Sequence, residues 1–289
     1  MERVVGLRGT GSDARADERR VAPASAGVAA PESDIDRGWS RVARVWGVVV
    51  GCSMLVGTAL WAASAFGLLG APPVYTATAA GQVKDEATFY VADFAFGHRN
   101  LWALMGRAVV YSLAFLGIIP IMLAVNALVG RSRARVQVAV GFFVTGAVLG
   151  LLYTIAWLAA CAYWRSTGWE SVPPELMMTV GRQVSALIGL SNMAGTASNT
   201  IFGVGLAYLG AACWSEDRLP RWMAPVAWFG AVCLIAAVAI GEVLGYGPPY
   251  SVLMLLGAVV LSVGIVGLGL HLGRGVRQPD SPTTYTGTP

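Results

Sequence analysis

Apolar residues in this chain occur in six long runs, separated by shorter segments that carry charges or prolines. The runs cover residues 45–69, 108–129, 136–163, 183–214, 223–244 and 251–272. Each is long enough to cross a hydrocarbon core about 30 Å thick as an α-helix. None shows the short alternating pattern of a membrane-spanning β-strand. The pattern predicts an all-α, polytopic membrane protein with a six-transmembrane-helix bundle over residues 41–275.

Polar segments flank and interrupt these runs. Residues 1–40 and 276–289 contain few large apolar groups, which predicts disordered tails. The outer loop 71–103 is long, and its segment 85–97 has an acidic start, an aromatic-rich middle and a terminal glycine. These features predict a short helix at the membrane surface. Such a helix could cover the bundle or act as a lid over a ligand.

Basic residues next to the runs are distributed unequally, ten on one side and five on the other. The richer side carries Arg37, Arg41, Arg44, Arg131, Arg133, Arg135, Arg218, Arg221, Arg274 and Arg277, and the poorer side Lys84, Arg99, Arg107, Arg165 and Arg182. The positive-inside rule therefore predicts that both termini are cytoplasmic. Arginine provides 19 of the 20 basic residues, which is typical of a GC-rich genome. We expect the protein to lie in a bacterial inner membrane.

Composition excludes several classes of protein. At 56% hydrophobic and 12% charged residues, the chain has more apolar surface than a soluble core of this size could bury, so the lipid bilayer is its expected partner. A net charge of +4 without a basic stripe argues against nucleic-acid binding. The four cysteines lie in apolar runs without C-x-x-C spacing, and the two histidines should be a membrane thickness apart. We therefore expect no metal and no cofactor.

A polar stretch interrupts the fourth run at residues 191–200. Asn192, Thr196 and Asn199 share one helical face, and Ser191, Gly195 and Ser198 share the neighbouring face. These side chains could hydrogen-bond to adjacent helices or line a polar cavity. Asn199, Gly195 and Asn126 are predicted to serve helix packing. Since 33 residues separate Arg182 from Glu216, the helix must protrude, tilt or break.

Ionisable groups inside a membrane predict functional sites because they are costly to bury. Counting along each run places Arg107 and Glu242 at a similar depth near the outer boundary, close to Asn192 and Thr196. We therefore hypothesise a ligand site at the outer end of the bundle. Its residues would be Arg107, Asn192, Thr196 and Glu242, beneath Asp93, His98 and Arg99 of the outer loop.

Glycines recur at G-x-x-x-G spacing in several runs. The pairs are Gly47/Gly51, Gly146/Gly150, Gly241/Gly245 and Gly269/Gly273. Glycines at this spacing allow close approach of two helix backbones. They could serve packing within the bundle or a homodimer face.

The segment Phe202-Gly203-Val204-Gly205-Leu206-Ala207-Tyr208-Leu209-Gly210, with Trp214-Ser215 and the later Leu219-Pro220-Arg221-Trp222, carries a resemblance. It resembles the junction between the fourth and fifth helices of an uncharacterised family of six-helix bacterial membrane proteins. The acidic turn 215–218 departs from that family's pattern. The resemblance implies a six-helix topology and no reaction.

No motif of a hydrolase or a phosphate-binding loop is visible, so we do not predict an enzyme. A structural, sensory or accessory membrane protein is the leading interpretation. A small-solute transporter or channel is the alternative, and an intramembrane enzyme has the least support.

Overall fold

The computed structural model describes residues 34–70, 86–129, 133–166, 168–244 and 247–274. Within these ranges the protein is all-helical. Its elements are α1 (Asp34–Ala65), α2 (Glu86–Arg99), α3 (Leu101–Val129), α4 (Ala134–Ser166), a 3-10 turn (Trp169–Ser171), α5 (Pro174–Ser215), α6 (Met223–Leu244) and α7 (Pro248–Arg274). The prediction of an all-α fold is confirmed.

Several helices extend beyond the apolar runs that predicted them. The first helix begins at Asp34, inside the segment 1–40 that was expected to be a disordered tail. The other predicted tail, 276–289, lies outside the described residues. The fifth helix begins at Pro174, where proline suits the first helical turn because its missing N–H needs no partner there. Arg182 therefore lies within α5 and not before it.

The fifth helix is continuous through Gly195 and contains 42 residues. At about 1.5 Å per residue it is about 63 Å long, twice the thickness of a hydrocarbon core. Of the three predicted outcomes, protrusion, tilt or a break, the structure excludes the break. Residues on opposite ends of α5 are joined by one helical rod.

Five helices are long and apolar enough to cross a membrane, namely α1, α3, α4, α6 and α7. The protein is therefore compatible with a multi-pass membrane protein. Six such helices were predicted, but α5 does not reach the same apolarity. The polar residues between Ser191 and Thr200 are the physical reason, because they dilute the longest helix of the bundle.

The six long helices form a closed ring. Going around it, α1 packs against α3, α3 against α4, α4 against α5, α5 against α6, α6 against α7, and α7 against α1. We call the end of the ring where α3, α5 and α7 begin the α2 end, and the opposite end, which carries Glu216 and Asp217, the turn end.

Glycines allow the closest helix contacts in this ring. A Cβ atom at Gly269 would lie 2.7 Å from the Cα atom of Gly47, and one at Gly150 would lie 2.6 Å from the ring of Phe115. Gly146 faces Phe202 in the same way. Three of the G-x-x-x-G pairs therefore contribute to packing within one chain. Gly245 lies outside the described residues.

The second helix packs across the α2 end against α3, α4 and α5. A short helix was predicted in this part of the loop, and α2 confirms it. The aromatic residues Tyr90 and Phe94, which were expected at the membrane surface, are buried against other parts of the protein. Arg182 donates two hydrogen bonds of 2.8 Å to the carboxylate of Glu86, one to each oxygen. This bidentate ion pair fixes the first turn of α2 to α5.

The acidic turn between α5 and α6 connects three parts of the turn end. Glu216 forms an ion pair with Arg133 at the start of α4. Arg218 donates a hydrogen bond of 3.0 Å to the carbonyl oxygen of Leu128 in α3. His271 of α7 lies 3.3 Å from the carbonyl oxygen of Arg218. The acidic residues that depart from the resembled family's turn thus have a structural role here.

Candidate functional site

A cavity of about 510 Å³ lies inside the helix ring. It has the size of typical small-molecule pockets. Residues from α1, α3, α4, α5, α6 and α7 line it: Met54, Trp61, Ser64, Ala65, Arg107, Tyr111, Phe115, Gly150, Tyr153, Trp157, Ile188, Asn192, Gly195, Thr196, Ser198, Asn199, Phe202, Leu234, Tyr250, Ser251, Met254, Ala258 and Leu261. Because the lining includes the last residue of α1 and the first turn of α7, the cavity reaches the α2 end.

Aromatic rings form the floor of this cavity. The rings of Phe115 and Phe202 stack with centroids 6.0 Å apart, and Phe143 packs on Phe202 at 5.7 Å. Beyond the floor, buried apolar side chains of the core fill the half of the ring nearer the turn end, and they close the cavity on that side.

The polar stretch of α5 serves both purposes that its sequence allowed. Asn192, Thr196 and Asn199 line the cavity. On the neighbouring face, Ser191 donates a hydrogen bond of 2.9 Å to the carbonyl oxygen of Tyr153, and Ser198 one of 2.8 Å to that of Gly146. Both acceptors belong to α4. One face thus supplies polar groups to the cavity while the other holds α5 against α4.

The residues predicted for helix packing have different outcomes. Gly195 packs against the ring of Tyr153, where an added Cβ would approach to 3.1 Å, and it also lines the cavity. Asn199 lines the cavity. The amide oxygen of Asn126 is buried without a hydrogen-bond partner, so it does not make the interhelical bond that its position predicted.

Arg107 lies inside the ring, in the second turn of α3 and so near the α2 end. Its exposed fraction is 6%. The centre of its guanidinium group is 4.2 Å from the ring centroid of Trp157, a cation–π contact. The Nε atom of Arg107 and the indole nitrogen of Trp157 are both buried without an acceptor. Two unsatisfied donors therefore belong to residues that line the cavity.

The remaining predicted site residues do not join this group. Glu242 is exposed near the end of α6 and does not line the cavity. Asp93, His98 and Arg99 lie on α2, which contributes no residue to the lining. His98 instead places its Nδ1 atom 3.4 Å from the carbonyl oxygen of Trp164. The structure thus brings together Arg107, Asn192 and Thr196 of the predicted ligand site.

Sequence reasoning did not assign the aromatic walls of the cavity to a site. Tyr111 and Phe115 follow Arg107 at intervals of four residues, and Trp157 follows Tyr153 at the same interval. This spacing places each set on one face of its helix. This spacing can be read from the sequence, but it does not identify a cavity, because the same spacing also occurs in ordinary helix packing.

Asp93 titrates in an environment that makes the docking of α2 sensitive to pH. Burial raises the pKa of its carboxyl group from 3.8 to about 6, and the nearby Trp164 side chain partly offsets this rise. The folded state thus holds the proton more tightly than the unfolded state does. Stability from this group is greatest at low pH and is lost as the pH rises through about 6.

We expect the backbone amides of α2 to exchange hydrogen faster at about pH 7.5 than at about pH 5, after correction for the intrinsic pH dependence of exchange. Asp93→Asn should remove most of this difference. Glu86→Gln is the matched control, because its ion pair with Arg182 lowers the pKa of Glu86 and so keeps its titration below this range. An unchanged difference in Asp93→Asn would contradict the assignment.

The fold and the cavity define a class, an all-helical protein that is compatible with a multi-pass membrane protein and has a polar and aromatic cavity. Among the described residues, no three His, Cys, Asp or Glu side chains come together as a metal site. No protein-family model, curated protein or solved structure matches this chain. The resemblance seen around residues 202–222 therefore stays a prediction.

Proposed function

We propose that this protein is a receptor-like or accessory component of a bacterial inner membrane that binds a small organic molecule inside its helix ring. The cavity of about 510 Å³, closed at the turn end, carries this proposal. A closed cavity allows binding and release at one side, which suits sensing better than passage. We propose a binding protein and not an enzyme.

We further propose that α5 crosses the membrane with the five apolar helices. Its place in the ring between α4 and α6 supports this threading. Its polar residues Asn192, Thr196 and Asn199 face the cavity, where they avoid lipid. With six crossings and the basic residues at the turn end, both termini lie in the cytoplasm and the cavity opens to the outside.

A small-solute transporter is the second candidate function. The polar residues of α5 inside a ring of six helices favour it, since a transport path needs polar groups within the membrane. The aromatic floor of Phe115 and Phe202, with Phe143 packed behind it, counts against an open path. The two functions differ in whether a residue of the cavity can be reached from both sides.

Thiol labelling from each side of the membrane tests the proposal. Thr196→Cys, in a background in which the exposed Cys52 is replaced by Ser, should react with a membrane-impermeant methanethiosulfonate from outside only. Ala124→Cys is the matched control, because Ala124 is fully buried in the closed half of α3. It should react from neither side unless the protein is denatured.

Labelling of Thr196→Cys from both sides would favour the transporter. Labelling from the cytoplasmic side only would reverse the proposed orientation. Protection of Thr196→Cys from both sides, with labelling after denaturation, would contradict an accessible cavity and with it the binding role.

A further inference from the structure

Within the proposed binding role, we propose that Arg107 is the anchor for an anionic ligand, an amphiphilic organic molecule with one carboxylate or phosphate group. An arginine inside a membrane bundle is costly unless its charge is compensated. None of the described residues that line the cavity is an Asp or a Glu. The compensating negative charge is therefore one that the cavity receives from a ligand.

The hydrogen-bonding state of this region favours a ligand that carries acceptor oxygens. The Nε donor of Arg107 and the indole N–H of Trp157 are both buried without an acceptor. Buried donors without partners cost free energy, and an oxyanion can accept from several of them. A ligand cation or a simple hydrocarbon would leave both donors unsatisfied.

The stacking of Arg107 on Trp157 leaves the guanidinium group suitably oriented for this role. The central carbon atom of the guanidinium group lies over the indole, 4.2 Å from the ring centroid. The N–H donors lie in the plane of the guanidinium group, at its edge. A guanidinium edge matches the two oxygens of a carboxylate or phosphate in a bidentate pair.

The rest of the cavity specifies the body of the ligand. From Arg107, the lining continues along α3 through Tyr111 to Phe115 at the floor. Met54, Met254 and Leu261 add apolar surface from α1 and α7. The ligand would therefore place its charge at Arg107 and an apolar or aromatic body towards the floor.

The polar residues of α5 add a second requirement. Asn192, Thr196 and Asn199 line one wall between the α2 end and the floor. They can donate to or accept from hydroxyl or carbonyl groups on the ligand body. A molecule with an anionic group, an apolar body and a few polar substituents fits these walls better than an inorganic anion, which would leave most of the cavity unfilled.

Matched pairs of radiolabelled probes test the charge requirement on the purified full-length protein in neutral-lipid nanodiscs. One pair is 3-phenylpropionate and 3-phenylpropanol, for a water-soluble source. The other is oleoyl lysophosphatidic acid and monooleoylglycerol, for a lipid source. We expect the anionic member of at least one pair to bind about tenfold or more tightly than its neutral partner, since charge-assisted hydrogen bonds contribute at this level. The pair that shows the preference identifies the source.

Arg107→Gln should abolish the preference by lowering the affinity for the anionic probe to about that for its neutral partner. Arg107→Lys keeps the charge but loses the planar fork, so it should retain part of the preference. Arg99→Gln is the control, because Arg99 is exposed on α2 outside the cavity. It should behave as the wild type.

Equal binding of anionic and neutral probes by the wild type would overturn the assignment of Arg107 and leave the proposed binding role intact. So would a preference that persists in Arg107→Gln. Binding of neither member of either pair would overturn both proposals. The wild-type comparison alone is decisive if Arg107→Gln does not fold.

Discussion

Gly269→Leu is expected to prevent α1 and α7 from packing together and to destabilise the whole bundle. A Cβ atom at this position would lie 2.6 Å from the carbonyl oxygen of Ala43 and 2.7 Å from the Cα atom of Gly47. Both neighbours are backbone atoms of a long helix, so neither can move alone. Overpacking of this kind costs about 3 kcal/mol or more, and the apparent melting temperature should fall by about 10 °C.

Gly264→Ala, on the same helix, is the matched control for this substitution. Gly264 is also buried, but nothing lies within 4 Å of a Cβ atom added there. Its melting temperature should be unchanged or slightly higher, because alanine favours helix over glycine. Equal melting temperatures for Gly269→Leu and the wild type, measured on protein in the same detergent, would show that the α1–α7 contact is not required.

Phe202→Ala should remove the centre of the cavity floor and cost about 3–5 kcal/mol of stability. Phe202 is 1% exposed and its ring packs on both Phe115 and Phe143. Its loss also removes the ring that separates the cavity from the packed half of the bundle. We therefore expect a lower melting temperature, together with thiol labelling of Ala124→Cys from the outside in the double variant.

Phe142→Ala provides the comparison, because Phe142 is half-buried and stacks on the exposed Tyr208 with centroids 5.8 Å apart. It should lower stability by about 1 kcal/mol and leave Ala124→Cys unreactive. A Phe202→Ala variant as stable as Phe142→Ala would mean that the floor is not a packed part of the core.

The helical architecture could be predicted from the sequence because membrane helices require long apolar runs. Helix ends were less accessible to prediction. Polar residues such as Asp34 and Glu175 continue their helices beyond the apolar runs, and hydrophobicity carries no signal for that extension. The sequence also could not show whether α5 is continuous at Gly195, because glycine occurs both within helices and at helix breaks.

The candidate site shows a different limit. Counting residues from helix ends gives the depth of a side chain along the bundle axis but not its direction around that axis. Arg107 and Glu242 were predicted at similar depth, yet Arg107 lines the cavity and Glu242 is exposed and does not line it. Direction depends on which helices are neighbours, and one sequence does not specify the order of a ring.

Neighbouring helices of the ring differ in how the chain connects them. Going around it, α3–α4, α4–α5, α5–α6 and α6–α7 are joined by short connections, and α1–α3 by the segment that contains α2. The α1 and α7 helices are not consecutive in the chain, and they pack closely against each other. Both helices line the cavity. A sideways separation of α1 from α7 would therefore strain no connecting segment, and the close backbone contact of Gly47 with Gly269 keeps the ring closed at this pair.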